Sequence, residues 1–77
     1  MKMSGLKKGE KGIVISVNHS NKSLRKRMLD MGITKGVEVI IKKVAPFGDP
    51  VCIELRGYEL CLRKSDLVDV EVSKLWK

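Results

Sequence analysis

Apolar and polar residues alternate strictly on both sides of Gly57. The apolar positions are Val51, Ile53, Leu55, Tyr58, Leu60 and Leu62. A period of two is the pattern of a strand with one buried face, and a glycine between two such runs is typical of a tight turn. The segment therefore predicts a β-hairpin. Arg56-Gly57 or Gly57-Tyr58 could form its central pair, since both registers keep the apolar residues on one face.

Three further segments have the β-branched composition of strands, at residues 11–18, 37–44 and 68–72. The residues that alternation assigns to their buried faces are Ile13, Ile15 and Val17, then Val37, Val39 and Ile41, then Val68, Val70 and Val72. Residues 45–50 contain both prolines, which lack a ladder donor, and predict a loop. Residues 64–67 predict a short turn or one turn of 3₁₀ helix.

One short helix is predicted at residues 24–31. Ser23 is a favoured N-cap residue, and Gly32 is typical of a helix C-terminus with a positive φ. The apolar face expected to pack on the sheet consists of Leu24, Met28 and Met31. Five short strands and one helix between the first two describe a mostly β fold, a partly open barrel of SH3 or OB type.

The 77 residues leave room for a single core. We expect one domain over 1–77, with its core at about 5–72 and a terminal tail at 73–77. No apolar run approaches the ~20 residues needed to span a bilayer, and no apolar stretch of a signal peptide follows the start. These features predict a cytoplasmic protein. Trp76, in the tail, is expected to pack back on the barrel.

Groups that carry chemistry are sparse. The only histidine, His19, lies in a polar turn and is interpreted as a solvated loop residue. Cys52 and Cys61 are interpreted as two reduced thiols on a partly covered outer face. They face each other if Arg56-Gly57 is the turn, whereas the other register places Cys61 opposite Glu54. We predict no enzyme, no cofactor and no metal ligand set.

The net charge of +7 is uneven along the chain. Residues 1–43 hold eleven Lys/Arg and three Asp/Glu, and residues 44–77 hold five and six. A basic half suggests an acidic partner, a nucleic acid or an anionic membrane, although a solvated lysine-rich surface is the preferred explanation. Nucleic-acid binding is the second hypothesis, but with one Trp, one Tyr and one Phe the chain lacks stacking aromatics, and we expect no nucleic acid.

Several segments together resemble the ferrous iron transport protein A (FeoA) family over about residues 5–72. Residues 27–33 read Arg-Met-Leu-Asp-Met-Gly-Ile, residues 45–50 read Ala-Pro-Phe-Gly-Asp-Pro, and residues 6–12 carry Leu-x-x-Gly-x-x-Gly. Gly36, Gly57 and Leu62-Arg63 complete the pattern. Methionine stands at 28 and 31 where the family usually has leucine, which is a mild change.

The resemblance implies a small SH3-like five-stranded barrel in the cytoplasm with a non-enzymatic role in ferrous iron transport. Its implied partner is the membrane ferrous-iron transporter with a GTPase domain, which the chain would regulate or assemble. Contact with the membrane would then occur only through that partner. A metal-sensing domain like the C-terminal module of iron-dependent repressors is an alternative.

The partner-binding residues we predict are Lys22, Arg25, Lys26, Leu29 and Phe47. Leu29 lies about 140° around the helix from Leu24, away from the core-facing residues. With its basic neighbours it would form an apolar anchor with a charged rim. Phe47, at the tip of the proline loop, is a second candidate. The competing expectation is that Phe47 and its loop cover Leu29.

Overall fold

The computed structural model describes residues 1–18 and 20–75. The elements are a 3₁₀ turn (Met3–Gly5), β1 (Lys11–Val17), α1 (Lys22–Asp30), β2 (Glu38–Val44), β3 (Val51–Leu55), β4 (Tyr58–Leu62), α2 (Lys64–Leu67) and β5 (Val70–Leu75). The strands form one antiparallel sheet in the order β4-β3-β2-β1-β5. A mostly β fold with a helix between the first two strands is confirmed. The predictions for His19 and Trp76 lie outside the described residues.

The β3–β4 hairpin has Arg56-Gly57 as its central pair, because Leu55 pairs directly with Tyr58. Arg56 and Gly57 both have positive φ, 49° and 85°, as a type I′ turn requires. The predicted alternation is confirmed at Val51, Ile53, Leu55 and Leu62, which are buried, whereas Tyr58 is 41% exposed. The opposite face carries Cys52, Glu54, Glu59 and Cys61.

The buried face predicted for β1 was wrong. Val14 is buried at 1% exposure, whereas Ile15 is 43% exposed. The pairing of β1 with β5 shifts register between Val14 and Ser16, so Ile15 is an extra residue in a bulge. After the bulge, Val17 packs partly against the core. A run of consecutive β-branched residues supports either face equally, so alternation could not identify the correct one.

The N-terminal segment closes one end of the core. Met3 and Leu6 are buried, and Met3 lies in the 3₁₀ turn. Gly12 permits this packing, because a Cβ there would lie 3.2 Å from Leu6 Cδ1 and 3.3 Å from Val72 Cβ.

The buried face predicted for the strand at 37–44 was correct, since Val37, Val39 and Ile41 are buried. The whole buried cluster consists of Met3, Leu6, Val14, Met28, Ile33, Val37, Val39, Ile41, Val51, Ile53, Leu55, Leu62, Leu67, Val70 and Val72.

The last strand begins two residues later than predicted. Val68 lies in the turn before β5 and is 37% exposed, so its predicted place on the buried face was wrong. Val70 and Val72 are buried as expected, and β5 continues to Leu75, which pairs with Lys11. None of the helices in the described ranges has both the length and the apolarity to cross a membrane.

Helix α1 begins two residues earlier than predicted because Asn21, not Ser23, is the N-cap. Asn21 Oδ1 accepts hydrogen bonds from the backbone N–H groups of Ser23 (2.9 Å) and Leu24 (3.3 Å). These bonds satisfy donors that have no partner within the helix. On the apolar face, Met28 is buried and Leu24 is half-buried.

The C-terminus of α1 is a Schellman motif. Ile33 N–H donates to Met28 O and Gly32 N–H donates to Leu29 O, both at 3.0 Å. Gly32 has φ +99°, which confirms the predicted left-handed glycine at this helix end. Ile33, fully buried, ties the end of the helix to the core.

The two candidate caps make a matched pair of substitutions. Asn21→Ala removes both cap bonds, and we expect the free energy of unfolding to fall by about 1 kcal/mol, within 0.5–2. Ser23→Ala should change it by no more than a few tenths, because Ser23 contributes its backbone N–H to the cap and alanine suits a helix. Urea unfolding of both variants measures this. A larger loss for Ser23→Ala would contradict the assignment.

Candidate functional site

Four of the predicted partner-binding residues share the outer face of α1. Lys22, Arg25, Lys26 and Leu29 are spaced i, i+3, i+4 and i+7, so they form one stripe along the helix. All four are exposed, Leu29 at 40%, while Met28 points into the core at 3% exposure. We name these four residues the outer helix face.

Phe47 does not cover Leu29. The ring of Phe47 is 96% exposed, so the expectation that the proline loop shields Leu29 was wrong. The loop is nevertheless ordered: Gly48 N–H donates to Ala45 O (2.7 Å), and Asp49 Oδ1 accepts from Lys64 N–H (2.8 Å). An aromatic ring is thus held in solvent on a defined turn, which leaves it available for contact with another molecule.

The outer helix face carries three positive charges. Among residues 1–18 and 20–75, no ion pair involves its lysines or its arginine. Three cations around one exposed leucine therefore remain available to an acidic surface.

A concave surface on another side of the molecule has the opposite character. It is lined by Lys8, Gly9, Glu10, Lys11, Glu38, Lys74 and Leu75. Its charges pair with one another, since Lys74 contacts Glu10 and Lys11 lies 4.0 Å from Glu38. The hydrogen bond from Lys74, with a second from the Lys7 backbone, lowers the pKa of Glu10. Because these charges neutralise one another, this surface attracts a charged partner less strongly.

The cysteines on the outer face of the hairpin form a disulfide. Cys52 and Cys61 are direct cross-strand partners with Cα atoms 3.9 Å apart, and the prediction of two separate reduced thiols was wrong for this state. Glu59 lies beside them, with the possible ligand atoms of all three residues within 4.8 Å of one another. Sequence reasoning missed this cluster, although the Arg56-Gly57 register brings the thiols face to face and puts Glu59 on the same side.

Residues 1–74 match the FeoA domain family. The chain belongs to that family. A curated relative, the Fe(2+) transport protein A/Fe(2+) transporter FeoB fusion protein of Porphyromonas gingivalis, is 32% identical over 72 residues, which are 94% of this chain and 8% of the relative. The chain thus spans only a small part of that protein's length.

Two solved FeoA structures share the fold closely. The FeoA-like protein of Clostridium acetobutylicum is 36% identical with a TM-score of 0.90, covering 100% of this chain and 88% of that one. FeoA of Stenotrophomonas maltophilia, complexed with zinc and described as a prokaryotic SH3 domain protein, is 29% identical with a TM-score of 0.83, covering 95% and 89%. The SH3-like fold predicted for this chain is therefore confirmed.

In this FeoA domain a groove of about 250 Å³ lies between α1 and the β4–α2 segment. It is lined by Leu24, Arg27, Met28, Met31, Cys61, Leu62, Arg63 and Asp66. The groove brings one cysteine of the hairpin close to the helix. The helix residues that line this groove are Leu24, Arg27, Met28 and Met31, so the groove is separate from the outer helix face.

Proposed function

We propose that this FeoA domain is a non-enzymatic accessory of ferrous iron transport. It acts in the cytoplasm by binding the cytosolic GTPase part of a membrane ferrous-iron transporter, which it regulates or assembles. The observation that carries the proposal is the Porphyromonas gingivalis relative, in which Fe(2+) transport protein A and transporter FeoB form one fusion protein. A covalent connection keeps two parts at high effective concentration, which favours a working contact between them.

The outer helix face and Phe47 supply the chemistry for that contact. Aromatic and arginine side chains are enriched at protein interfaces, and Phe47 and Arg25 are of these types and exposed. Leu29 adds an exposed apolar surface beside Arg25. The surrounding lysines favour an acidic partner surface and accelerate encounter. No chemical step is assigned to the chain, because side chains that only contact a partner suffice for regulation or assembly.

Phe47 provides the first test. Phe47→Ala should weaken binding to the purified GTPase domain of the cognate transporter by about 30-fold, since truncating a central aromatic anchor costs about 2 kcal/mol. The melting temperature should not change, because the ring is 96% exposed and outside the core. Titration calorimetry measures the binding.

Val68→Ala is the matched control, because Val68 is also an exposed apolar residue but lies outside the proposed surface. It should bind as the parent does. Equal weakening by both variants would argue against a specific anchor at Phe47. Failure of the parent chain to bind the GTPase domain at all, with retention of RNA or DNA instead, would favour the nucleic-acid alternative.

A further inference from the structure

The Cys52, Glu59 and Cys61 cluster lies on the outer face of the hairpin, opposite the face that builds the core. We propose that, when the disulfide is reduced, the two thiolates and the Glu59 carboxylate bind a thiophilic divalent cation such as Zn²⁺, and that re-forming the disulfide releases it. The cluster is thus a metal site gated by oxidation. This inference does not depend on any contact with a transporter.

The geometry of the cluster suits a small tetrahedral ion. Its three potential ligand atoms already lie within 4.8 Å of one another, and Cys61 and Glu59 are exposed. In a tetrahedral zinc site with Zn–S bonds of about 2.3 Å, two sulfurs are about 3.8 Å apart. Side-chain rotation on an exposed face can provide that separation without moving the strands. A water molecule would complete four-coordination.

The charges of the outer face also favour a cation. In the reduced, deprotonated state the two thiolates, Glu54 and Glu59 are negative. They outnumber the nearby cations, which are Lys43 on β2, the cross-strand partner of Cys52, and Arg27 and Arg63, which line the groove beside Cys61. Thiolate ligands prefer Zn²⁺ to Fe²⁺, which is also weaker in the general order of divalent affinities. The site is therefore expected to hold zinc more tightly than ferrous iron.

The redox step balances with a simple partner. A dithiol reductant gives two electrons and two protons to the Cys52–Cys61 bond, and its own sulfurs join as a disulfide. Zn²⁺ then displaces the two thiol protons to solvent and forms two Zn–S bonds and one Zn–O bond. In the reverse direction, a disulfide oxidant takes two electrons from the thiolates, its own S–S bond breaks, and its two sulfurs take up two protons from solvent. The two Zn–S bonds break, the protein disulfide re-forms, and the zinc leaves with water as its ligands. Exposed disulfides are the labile class in such exchanges.

The fold should survive this cycle. The bridge joins two strands that already pair over five residues, from Val51–Leu62 to Leu55–Tyr58. The apolar side chains of the hairpin pack on the opposite face. Opening the disulfide therefore removes a cross-link without removing a core contact.

The test is anaerobic titration of the full chain with Zn²⁺, in competition with a chromophoric chelator, before and after reduction by a phosphine. The reduced chain should bind one Zn²⁺, and the oxidised chain should bind it at least about 100-fold more weakly. Co²⁺ bound to the reduced chain should show thiolate-to-metal charge-transfer absorption. Adding a disulfide oxidant to the zinc-loaded parent should release the metal, with circular dichroism unchanged, so the result does not rely on a variant that might misfold.

Glu54 supplies a matched control, because it is the direct cross-strand partner of Glu59 but is not part of the cluster. Glu59→Gln should weaken zinc binding by about tenfold or more, and Glu54→Gln by about twofold or less. The proposal is overturned if the oxidised and reduced chains bind zinc with equal affinity, or if Co²⁺ shows no thiolate-to-metal charge-transfer absorption. It is also overturned if Glu59→Gln and Glu54→Gln weaken zinc binding by the same factor. Cys52→Ser with Cys61→Ser should abolish the site and its response to oxidant.

Discussion

Replacing Gly32 with valine is expected to destabilise the domain severely. Gly32 has φ +99°, which a β-branched residue adopts only at a cost on the order of 1–3 kcal/mol. A Cβ at this position would also lie 2.8 Å from the Tyr58 hydroxyl and 3.5 Å from Leu55 Cδ1. A domain of this size has a total stability of only about 4–12 kcal/mol. The melting temperature should therefore fall by about 10 °C or more.

Gly36→Val separates the two causes of this loss. Gly36 has nearly the same φ, +92°, but a Cβ there would meet nothing within 4 Å. Gly36→Val should lose only the stability that a positive φ costs a valine, so its melting temperature should be higher than that of Gly32→Val. Combining Gly32→Ala with Tyr58→Phe should recover part of the loss of Gly32→Ala, because the hydroxyl that obstructs the Cβ is gone. A Gly32→Val protein melting within a degree or two of the parent would contradict the helix-end assignment.

The parts of the fold that sequence predicts best are those where a local rule determines which residues face the core or where an element ends. The hairpin combines alternation on both sides of a turn with a glycine, and only registers that keep one apolar face are compatible with a core. Gly32 was identifiable because a helix end followed by an apolar residue commonly needs a left-handed position. Both predictions agree with the structure.

The errors arose where local rules had several solutions. In β1 the apolar residues are consecutive, and the bulge at Ile15 depends on pairing with β5, which is distant in sequence. Asn21 and Ser23 are both good caps, and the choice between them depends on where the chain enters the helix. Met3 is fully buried because it packs with elements from the other end of the chain, and the local sequence of a three-residue turn does not predict such packing.

The candidate site also contains parts that the sequence predicted and parts that it did not. Periodicity alone places Leu29 outside the helix face of Leu24, Met28 and Met31, and its exposure of 40% agrees. Whether Phe47 covers Leu29 depended on a loop conformation that no periodicity describes. The cysteine cluster depended on a register that remained open at the sequence level, so Glu59 could not be assigned to it. The residues that bind a partner remain a proposal that only variants can test.

Combining Arg25→Glu, Lys26→Glu and Leu29→Ala is expected to abolish capture of the transporter's cytosolic GTPase domain while the chain stays folded. The apolar anchor is lost and the rim now has the wrong sign, which repels an acidic surface. Folding should persist because all three side chains are exposed and glutamate is favourable near a helix N-terminus. Immobilised GTPase domain and a thermal melt of each variant measure both properties.

The matched control is Lys35→Glu, Lys42→Glu and Val68→Ala, which makes the same change in net charge and one apolar truncation at exposed positions elsewhere. It should retain capture, because the contact depends on where the charges lie.

Met28→Ala should instead lower the free energy of unfolding by about 2–5 kcal/mol and weaken capture only through unfolding, since Met28 is 3% exposed. Raising the salt concentration should weaken the parent complex modestly by screening the rim. Complete loss of capture at raised salt concentration would indicate a polyanionic ligand. If the triple variant unfolds while Met28→Ala stays folded, the helix has the opposite face toward the core.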